Sequence, residues 1–321
     1  SKHEQIVQGI INAIDDAILM EGHALPSVNK MLTELGFARE TIVKAYRELK
    51  ERGIVESKNR MGYFVLSQKT NQTARVFLFL YSFDIVPRTF YEAFQLAIGE
   101  NVQLDIFFHH NNLKVFETFL TNGLGKYGMY VVAPIHNERA NELLRLIPPS
   151  KLLIVDRHEA IGEAYSYVTQ LFEQPVYQAL VALKDRILQF KEMILFYRDD
   201  TDFPTGTLKA FHRFGKDYKI NYRVEKMYMP GTIRKGTVYY TINDADLWEL
   251  LHDCAEHRVE IGQEIGILSQ DDTRVKQFIS GGITTITTDF AMMAQKAADY
   301  VLNREKIQEI IPSRLIRRNS L

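Results

Sequence analysis

The sequence predicts an α/β chain in two parts: a small helical unit closed by a β-hairpin, then a larger two-lobed region of parallel sheets with helices on both faces. Three observations predict it. The 321 residues exceed one ordinary domain and suit a small domain followed by a two-lobed one. Residues 1–66 carry helical apolar spacing and then a hairpin pattern. From Arg75 onward, short apolar runs alternate with stretches long enough for helices, which is the rhythm of βαβ units.

In the first part, Ile6, Ile10, Ile14 and Ile18 recur at every fourth residue, with Val7 and Ile11 beside them, making one apolar stripe. Ser27 then offers a hydroxyl to cap a second helix. That helix is expected to bury Val28, Met31, Leu32 and Leu35 and to stop at Gly36. A third helix, from about Arg39 to Arg52, buries Ile42, Ala45, Tyr46 and Leu49 and ends at Gly53. Ile54–Ser57, a turn at Lys58–Gly62 and Tyr63–Leu66 form a hairpin with a basic tip. Two short helices around a glycine turn, followed by a basic hairpin, make a winged helix-turn-helix.

The net charge of −1 gives the whole chain no nucleic-acid signature. Locally the balance differs. Between Lys30 and Arg60, eight Lys/Arg face five Glu, an excess of three, whereas residues 1–70 hold ten against nine Asp/Glu. The excess therefore sits on the helices and wing, as phosphate neutralisation requires. Arg39, Glu40, Thr41 and Lys44 lie off the buried face at the start of the third helix, where side chains reach base edges. Arg39 suits guanine and Glu40 suits cytosine. Ser27, Asn29 and Lys30 on the second helix, with Arg60 and Gly62 in the wing, complete the candidate DNA-contacting set. The competing reading of these residues is a solvated charged face.

The stretch LPSVNKMLTELGFARETIVKAYRELKERGIVESKNRMGYFV resembles the DNA-binding domain of the GntR family almost end to end. The resemblance implies a sequence-specific DNA-binding head. Val28, Asn29, Ala38 and Val43 stand where that family often has Glu, Arg, Ser or Thr, and Arg. This implies an operator other than the commonest family half-site.

Residues 67–74, SQKTNQTA, have the composition of a flexible linker. Residues 75–321 then form the second part. In an open parallel sheet, ligands bind beyond the carboxyl ends of the strands. The residues that follow the apolar runs are Ser82-Phe83-Asp84, His109-His110, Pro134-Ile135-His136, Asp156-Arg157, Arg198-Asp199-Asp200, Asn243-Asp244 and Gln270-Asp271-Asp272. Carboxylates and amides that pair with hydroxyls, beside rings that stack, suit a neutral polyhydroxylated ligand. Asp and Asn also end strands simply because they favour turns.

From Arg75 to Leu321 the chain is similar to the effector domain of the LacI family, which has the periplasmic-binding-protein-like (type I) fold. The similarity is carried by Leu152–Arg157, Thr241–Leu247, Ile265–Thr273, Gly282–Ile286 and Ile311–Ser320. It implies that Asn243 and Asp271 bind the effector, then Asp84 and Arg157, with Phe83, Arg88, His136 and Arg198 completing the candidate set. Many members carry an Arg at the start of the helix after the Phe196 strand. Here Phe203–Thr207 has none, and Arg198 is the substitute. The resemblance further implies a homodimer on a two-fold operator. A GntR head on a LacI-like sensor is the arrangement of arabinose repressors. The expected protein is a repressor of a carbohydrate catabolic operon, released by a pentose or deoxyhexose such as arabinose or fucose. A phosphorylated sugar or a nucleobase is the alternative effector.

Other classes fit less well. No run of 18 apolar residues appears, so a membrane span is not expected. The opening SKHEQIVQGI is neither a signal nor a transit peptide, and the one cysteine, Cys254, fits a reducing cytoplasm. His252 and His257 are five apart, not the four that place two ligands on one helix face, and no nucleophile or phosphate-loop motif occurs. Neither enzyme activity nor a cofactor nor a metal is expected.

Overall fold

The computed structural model describes residues 1–321. It divides into two compact units, Ser1–Val168 with Met293–Gln308, and Thr169–Met292 with Glu309–Leu321. The chain therefore passes between the units three times.

The head comprises α1 (Lys2–Asp15), α2 (Val28–Leu35), α3 (Arg39–Glu51), β1 (Val55–Lys58) and β2 (Gly62–Val65). The hairpin is antiparallel, with Val55 opposite Val65 and Lys58 opposite Gly62. Ser1 and Glu4 form a capping box on α1. The α3 stripe of Ile42, Ala45, Tyr46 and Leu49 is fully buried; each large apolar side chain so placed contributes about 1.5–3 kcal/mol. Two expectations fail. The α1 stripe stops at Ile14 because the helix ends at Asp15, leaving Ile18 70 % exposed. In α2 only Met31 is buried. This two-turn helix reaches the core with Met31, and Val28 packs at the edge, while Leu32 and Leu35 project into solvent.

After the head come β3 (Ala74–Leu80), α4 (Ile85–Ile98), β4 (Val102–Phe108), α5 (Leu113–Gly123), β5 (Met129–Val132), α6 (Glu138–Leu144), β6 (Leu152–Arg157) and β7 (Ser166–Gln170). There follow α7 (Glu173–Ala182), α8 (Lys184–Ile187), β8 (Glu192–Phe196), α9 (Thr205–Asp217), β9 (Tyr222–Glu225), β10 (Thr237–Thr241) and α10 (Asp244–Glu256). The chain closes with β11 (Gly266–Gln270), α11 (Arg274–Phe278), β12 (Thr284–Thr288), α12 (Phe290–Asn303), β13 (Gln308–Ile310) and β14 (Ser313–Ile316).

Two six-stranded sheets result, ordered β13-β7-β6-β5-β3-β4 and β14-β12-β11-β10-β8-β9. The pairings among β3–β6 and among β8–β12 are parallel, whereas β14 runs antiparallel to β12 at the edge. In each sheet the strand order reverses once, between β3 and β5 and between β8 and β10. Each reversal leaves a crevice at the carboxyl ends of the two strands.

The head is docked on the first lobe. Residues 67–74 have linker composition, yet Arg52 donates from Nε to the Gln72 carbonyl at 2.8 Å and from Nη2 to that of Thr70 at 3.1 Å. The Thr73 amide donates to the Asn101 carbonyl at 2.7 Å. Glu51 pairs with Lys151. Gly128 lies so close that a Cβ there would sit 2.6 Å from the Glu51 carbonyl oxygen. The expectation of a free linker is thus corrected: its polar backbone is satisfied by the end of α3 and by the lobe.

Candidate functional site

The candidate residues fall in two places, the head and the strand ends of the two large sheets. In the head, the Ser27 hydroxyl accepts the Lys30 amide at 3.1 Å, so this side chain caps α2. Gly36 ends the helix with a left-handed φ of 64°, which glycine adopts without penalty. The turn brings α3 beside α2, and Arg39 donates from Nη1 to Asn29 Oδ1 at 3.2 Å. Two candidate DNA contacts from different helices therefore meet. Lys30, Arg39, Glu40 and Lys44 are exposed, and Thr41 is half-buried. In the wing, Arg60 and Gly62 are exposed and left-handed, with φ of 60° and 104°.

Ala38 occupies the N-cap of α3 with φ −66° and ψ 142°, the backbone of a capping residue, and makes no side-chain cap bond. A hydroxyl there would satisfy an amide that now has no intrahelical partner. Ala38→Ser is expected to stabilise the head by about 1 kcal/mol, read as a raised urea midpoint with unchanged slope.

In the first unit, four candidates flank the β3/β5 crevice. Asp84 is the N-cap residue of α4, and its carboxylate accepts the Ser82 hydroxyl at 2.7 Å instead of an α4 amide. Phe83 is exposed beside Tyr91 and Phe108. Arg88 stands one turn into α4, within 3.5 Å of Glu92. Beyond β5, His136 Nδ1 lies 2.6 Å from the carboxylate of Glu159. Glu159 also accepts from Asn141 Nδ2 at 3.1 Å. Arg157 closes β6, directly after Asp156, whose φ of 65° is left-handed. Non-glycine residues held so are concentrated at functional sites.

His109, at the end of β4, is buried. Its Nε2 lies 3.0 Å from the Ala133 carbonyl, and its Nδ1 accepts the Asn111 amide at 3.2 Å. The carbonyl assigns the proton to Nε2 and the amide leaves Nδ1 bare, so the ring is neutral. Burial depresses its pKa to about 4. This histidine is a structural tie across the strand ends.

In the second unit, Asn243 and Arg198 stand at the β8/β10 crevice. Asn243 is the N-cap of α10, its Oδ1 accepting the Asp246 amide at 2.8 Å. The Arg198 guanidinium lies 5.2 Å from the Phe203 ring, and its Nε is buried without a hydrogen-bond acceptor. Such an orphan donor invites an acceptor from outside the chain. Asp271 follows β11 with a left-handed φ of 60°. Its neighbour Asp272 belongs to the scaffold, because Arg318 grips both its oxygens at 2.7 and 2.8 Å.

Lys276 escaped the sequence reading. In TRVKQF it has the pattern of a surface lysine, yet it is fully buried. Its ammonium donates to Ser269 Oγ at 3.0 Å and to the carbonyls of Gln270 at 2.9 Å and Asp271 at 2.8 Å, and it pairs with Asp244 Oδ1 at 2.7 Å. It ties the residue after Asn243 to the backbone of Asp271. His252, Asp253 and Glu256 also come together, with ligand atoms within 4.8 Å. There Asp253 is buried and accepts the Tyr228 hydroxyl and the Gly231 amide, so its carboxylate holds a loop.

Together these features define a helix-turn-helix head joined to a doubly wound α/β region with two six-stranded sheets. Residues 2–65 match the family described as bacterial regulatory proteins, gntR family. The chain is 36 % identical over 62 residues to the HTH-type transcriptional regulator Rv1152 of Mycobacterium tuberculosis, a match covering 19 % of this chain and 51 % of that protein. This chain thus spans about half the length of the curated relative it matches. Among solved structures it is similar to a LacI family transcriptional regulator from Silicibacter pomeroyi, with TM-score 0.64, 16 % identity, and 77 % and 99 % of the two chains covered. A LacI family regulator from Lactobacillus casei with bound sucrose matches with TM-score 0.64, 14 % identity, and 77 % and 99 % covered. The trehalose repressor from Escherichia coli matches with TM-score 0.62, 16 % identity, and 75 % and 99 % covered. The chain therefore carries a GntR-type helix-turn-helix and an effector region with the fold of LacI family regulators. No helix is long and apolar enough to cross a membrane.

Proposed function

We propose that this protein is a sequence-specific DNA-binding transcriptional regulator, not an enzyme, whose operator affinity is set by a small neutral sugar at the strand ends of the effector region. The observation that carries the reading is the union, in one chain, of a GntR-type head and a LacI-type sensor fold. Sugar is the effector class favoured by Asp84, Asn243 and Asp271 with the unmatched Arg198 Nε. The sucrose-bound relative lends further support. Within that class the reading is a pentose or deoxyhexose acting on a repressor of carbohydrate catabolism. The repressor works as a homodimer, its two heads on the half-sites of a two-fold operator. Domain bounds of 1–66, 67–74 and 75–321 belong to the same proposal. Sugar binding opposes DNA binding through a coupling free energy of about 1–3 kcal/mol.

The test is a thermal-shift screen of neutral sugars, sugar phosphates and purines, followed by gel shifts on the operator. A neutral sugar at about 100 times its Kd adds about 2.7 kcal/mol to stability and weakens operator binding. Asn243→Ala and Asp271→Ala are expected to abolish both effects while sparing DNA binding without sugar. A stabilising purine or sugar phosphate, with no neutral sugar active, would overturn the sugar assignment. Failure to bind any duplex would overturn the regulator.

A further inference from the structure

A cavity of about 870 Å³ lies between the wing of the head and the first lobe, away from the strand ends described above. The head supplies β1 and the end of α3; the lobe supplies β3, β4 and α5. Its volume falls in the range of small-molecule sites, about 300–1,000 Å³, far below what a duplex needs.

The lining has two chemical characters. One wall is aromatic. Phe77 stacks on Phe107 with centroids 4.6 Å apart, Phe119 lies 5.1 Å from Phe107, and Tyr127 lies edge-on, 5.1 Å from Phe77. Phe119 is 39 % exposed, so part of this aromatic wall is open to solvent. The other wall is cationic: Lys50, Lys58, Arg75 and Lys126 line the cavity against a single acid, Glu56. Two of these charges are neutralised within the protein, Lys58 by Glu56 at 3.2 Å and Arg75 by Asp105 at 2.7 Å. Lys50 and Lys126 have no acidic partner. Burial, reinforced by the charges of Lys126 and Lys151, pushes the Lys50 ammonium below its ordinary value. Like charges gathered in a half-buried place destabilise a protein unless an anion joins them.

We propose that this cavity is a second ligand site, for a small organic anion bearing a flat aromatic ring, of the build of a nucleoside monophosphate. The anionic group sits between Lys50 and Lys126, where an ammonium pair receives a phosphate as point charges. The ring lies on Phe107 and Phe119, since an aromatic surface of this kind accepts a stacked base. Because the walls come from both head and lobe, the occupant cross-links them and holds the head docked.

Isothermal titration of the full chain with AMP and with 1-naphthyl phosphate tests this, with adenosine and inorganic phosphate as single-feature controls. At least one of the two aromatic phosphates should bind ten-fold or more tightly than either control. Lys50→Gln with Lys126→Gln should weaken that binding at least ten-fold, and Phe119→Ala should weaken it separately. Circular dichroism should stay at the parent signal and the melting temperature should not fall, since neither lysine holds an acidic partner and their mutual repulsion is removed. Asp271→Ala should leave the binding unchanged, so this site stands or falls apart from the sugar reading. Three results would overturn it: no binding of either phosphate at millimolar concentration, equal binding of inorganic phosphate, or loss of binding in Asp271→Ala but not in the double lysine variant.

Discussion

Replacing Lys276 with Met is expected to lower the unfolding free energy by about 3 kcal/mol, the lower end of the cost of breaking a buried ion pair. Four oxygens surround this ammonium: one hydroxyl, two backbone carbonyls and the Asp244 carboxylate. Methionine fills the space but donates nothing. Two carbonyls then lose their donor, and a carboxylate only 27 % exposed loses its counter-charge. That residual exposure places the cost at the lower end of the range. Urea titration measures it, and a loss under 1 kcal/mol would show that the pair is not the clamp described. Lys276→Met with Asp244→Asn should recover part of the loss, because the stranded charge is gone. On the function proposed above, effector binding should weaken as well, since Lys276 donates to the carbonyl of the left-handed Asp271.

The second large effect is on acid stability. His109 is held neutral at a pKa of about 4, against an ordinary 6.5. The unfolded chain takes up a proton as the pH falls through 6.5, while the folded chain resists until about 4. The unfolded state thus binds more protons in that window, and stability falls with falling pH. The contribution is complete above 6.5 and has been lost by about 4. The shift corresponds to roughly 3 kcal/mol at the usual 1.36 kcal/mol per unit. The structural cause is burial of the ring, which penalises the charged form, with the nearby charges of His110 and Arg157 acting in the same direction and the Ala133 carbonyl against it. His109→Gln should flatten the pH dependence of the denaturation midpoint between 6.5 and 4 relative to the parent. Parallel curves for the two proteins would refute this assignment.

The strands were legible because a strand buried on both faces is an unbroken apolar run, as in RVFLFLY and KLLIVDR. Strand order was not, since such a run looks alike at the centre or the margin of a sheet. By position alone the seven strand-end groups therefore have equal standing in the sequence, and only the family resemblance ranks Asn243 and Asp271 first. The strand reversals put the groups after β3, β5, β8 and β10 beside the two crevices, and the Asp271 group follows β11, the strand paired with β10. The α3 stripe was readable at fixed spacing, whereas Leu32, Leu35 and Ile18 were misjudged because periodicity marks a face without saying whether a neighbour covers it. Lys276 was invisible for a related reason: a long cationic chain is nearly always solvated, and only the fold reveals the oxygens gathered around it. The linker misled through composition, because Arg52, which binds its carbonyls, lies 18 and 20 residues earlier in the chain.

The threefold passage of the chain between the units bears on how the protein is made. The first unit is assembled from Ser1–Val168 and Met293–Gln308. Within it, α12 lies against β6, where the Tyr300 hydroxyl donates to the Leu152 carbonyl at 3.3 Å. On the ribosome, the head and β3–β6 emerge early, but the helix that covers them is translated only after almost all of the second unit. For that interval the nascent lobe exposes an apolar surface that later sequence must cover. Synthesis of this protein thus passes through a stage that favours chaperone capture, and truncation before residue 293 should leave an aggregation-prone product.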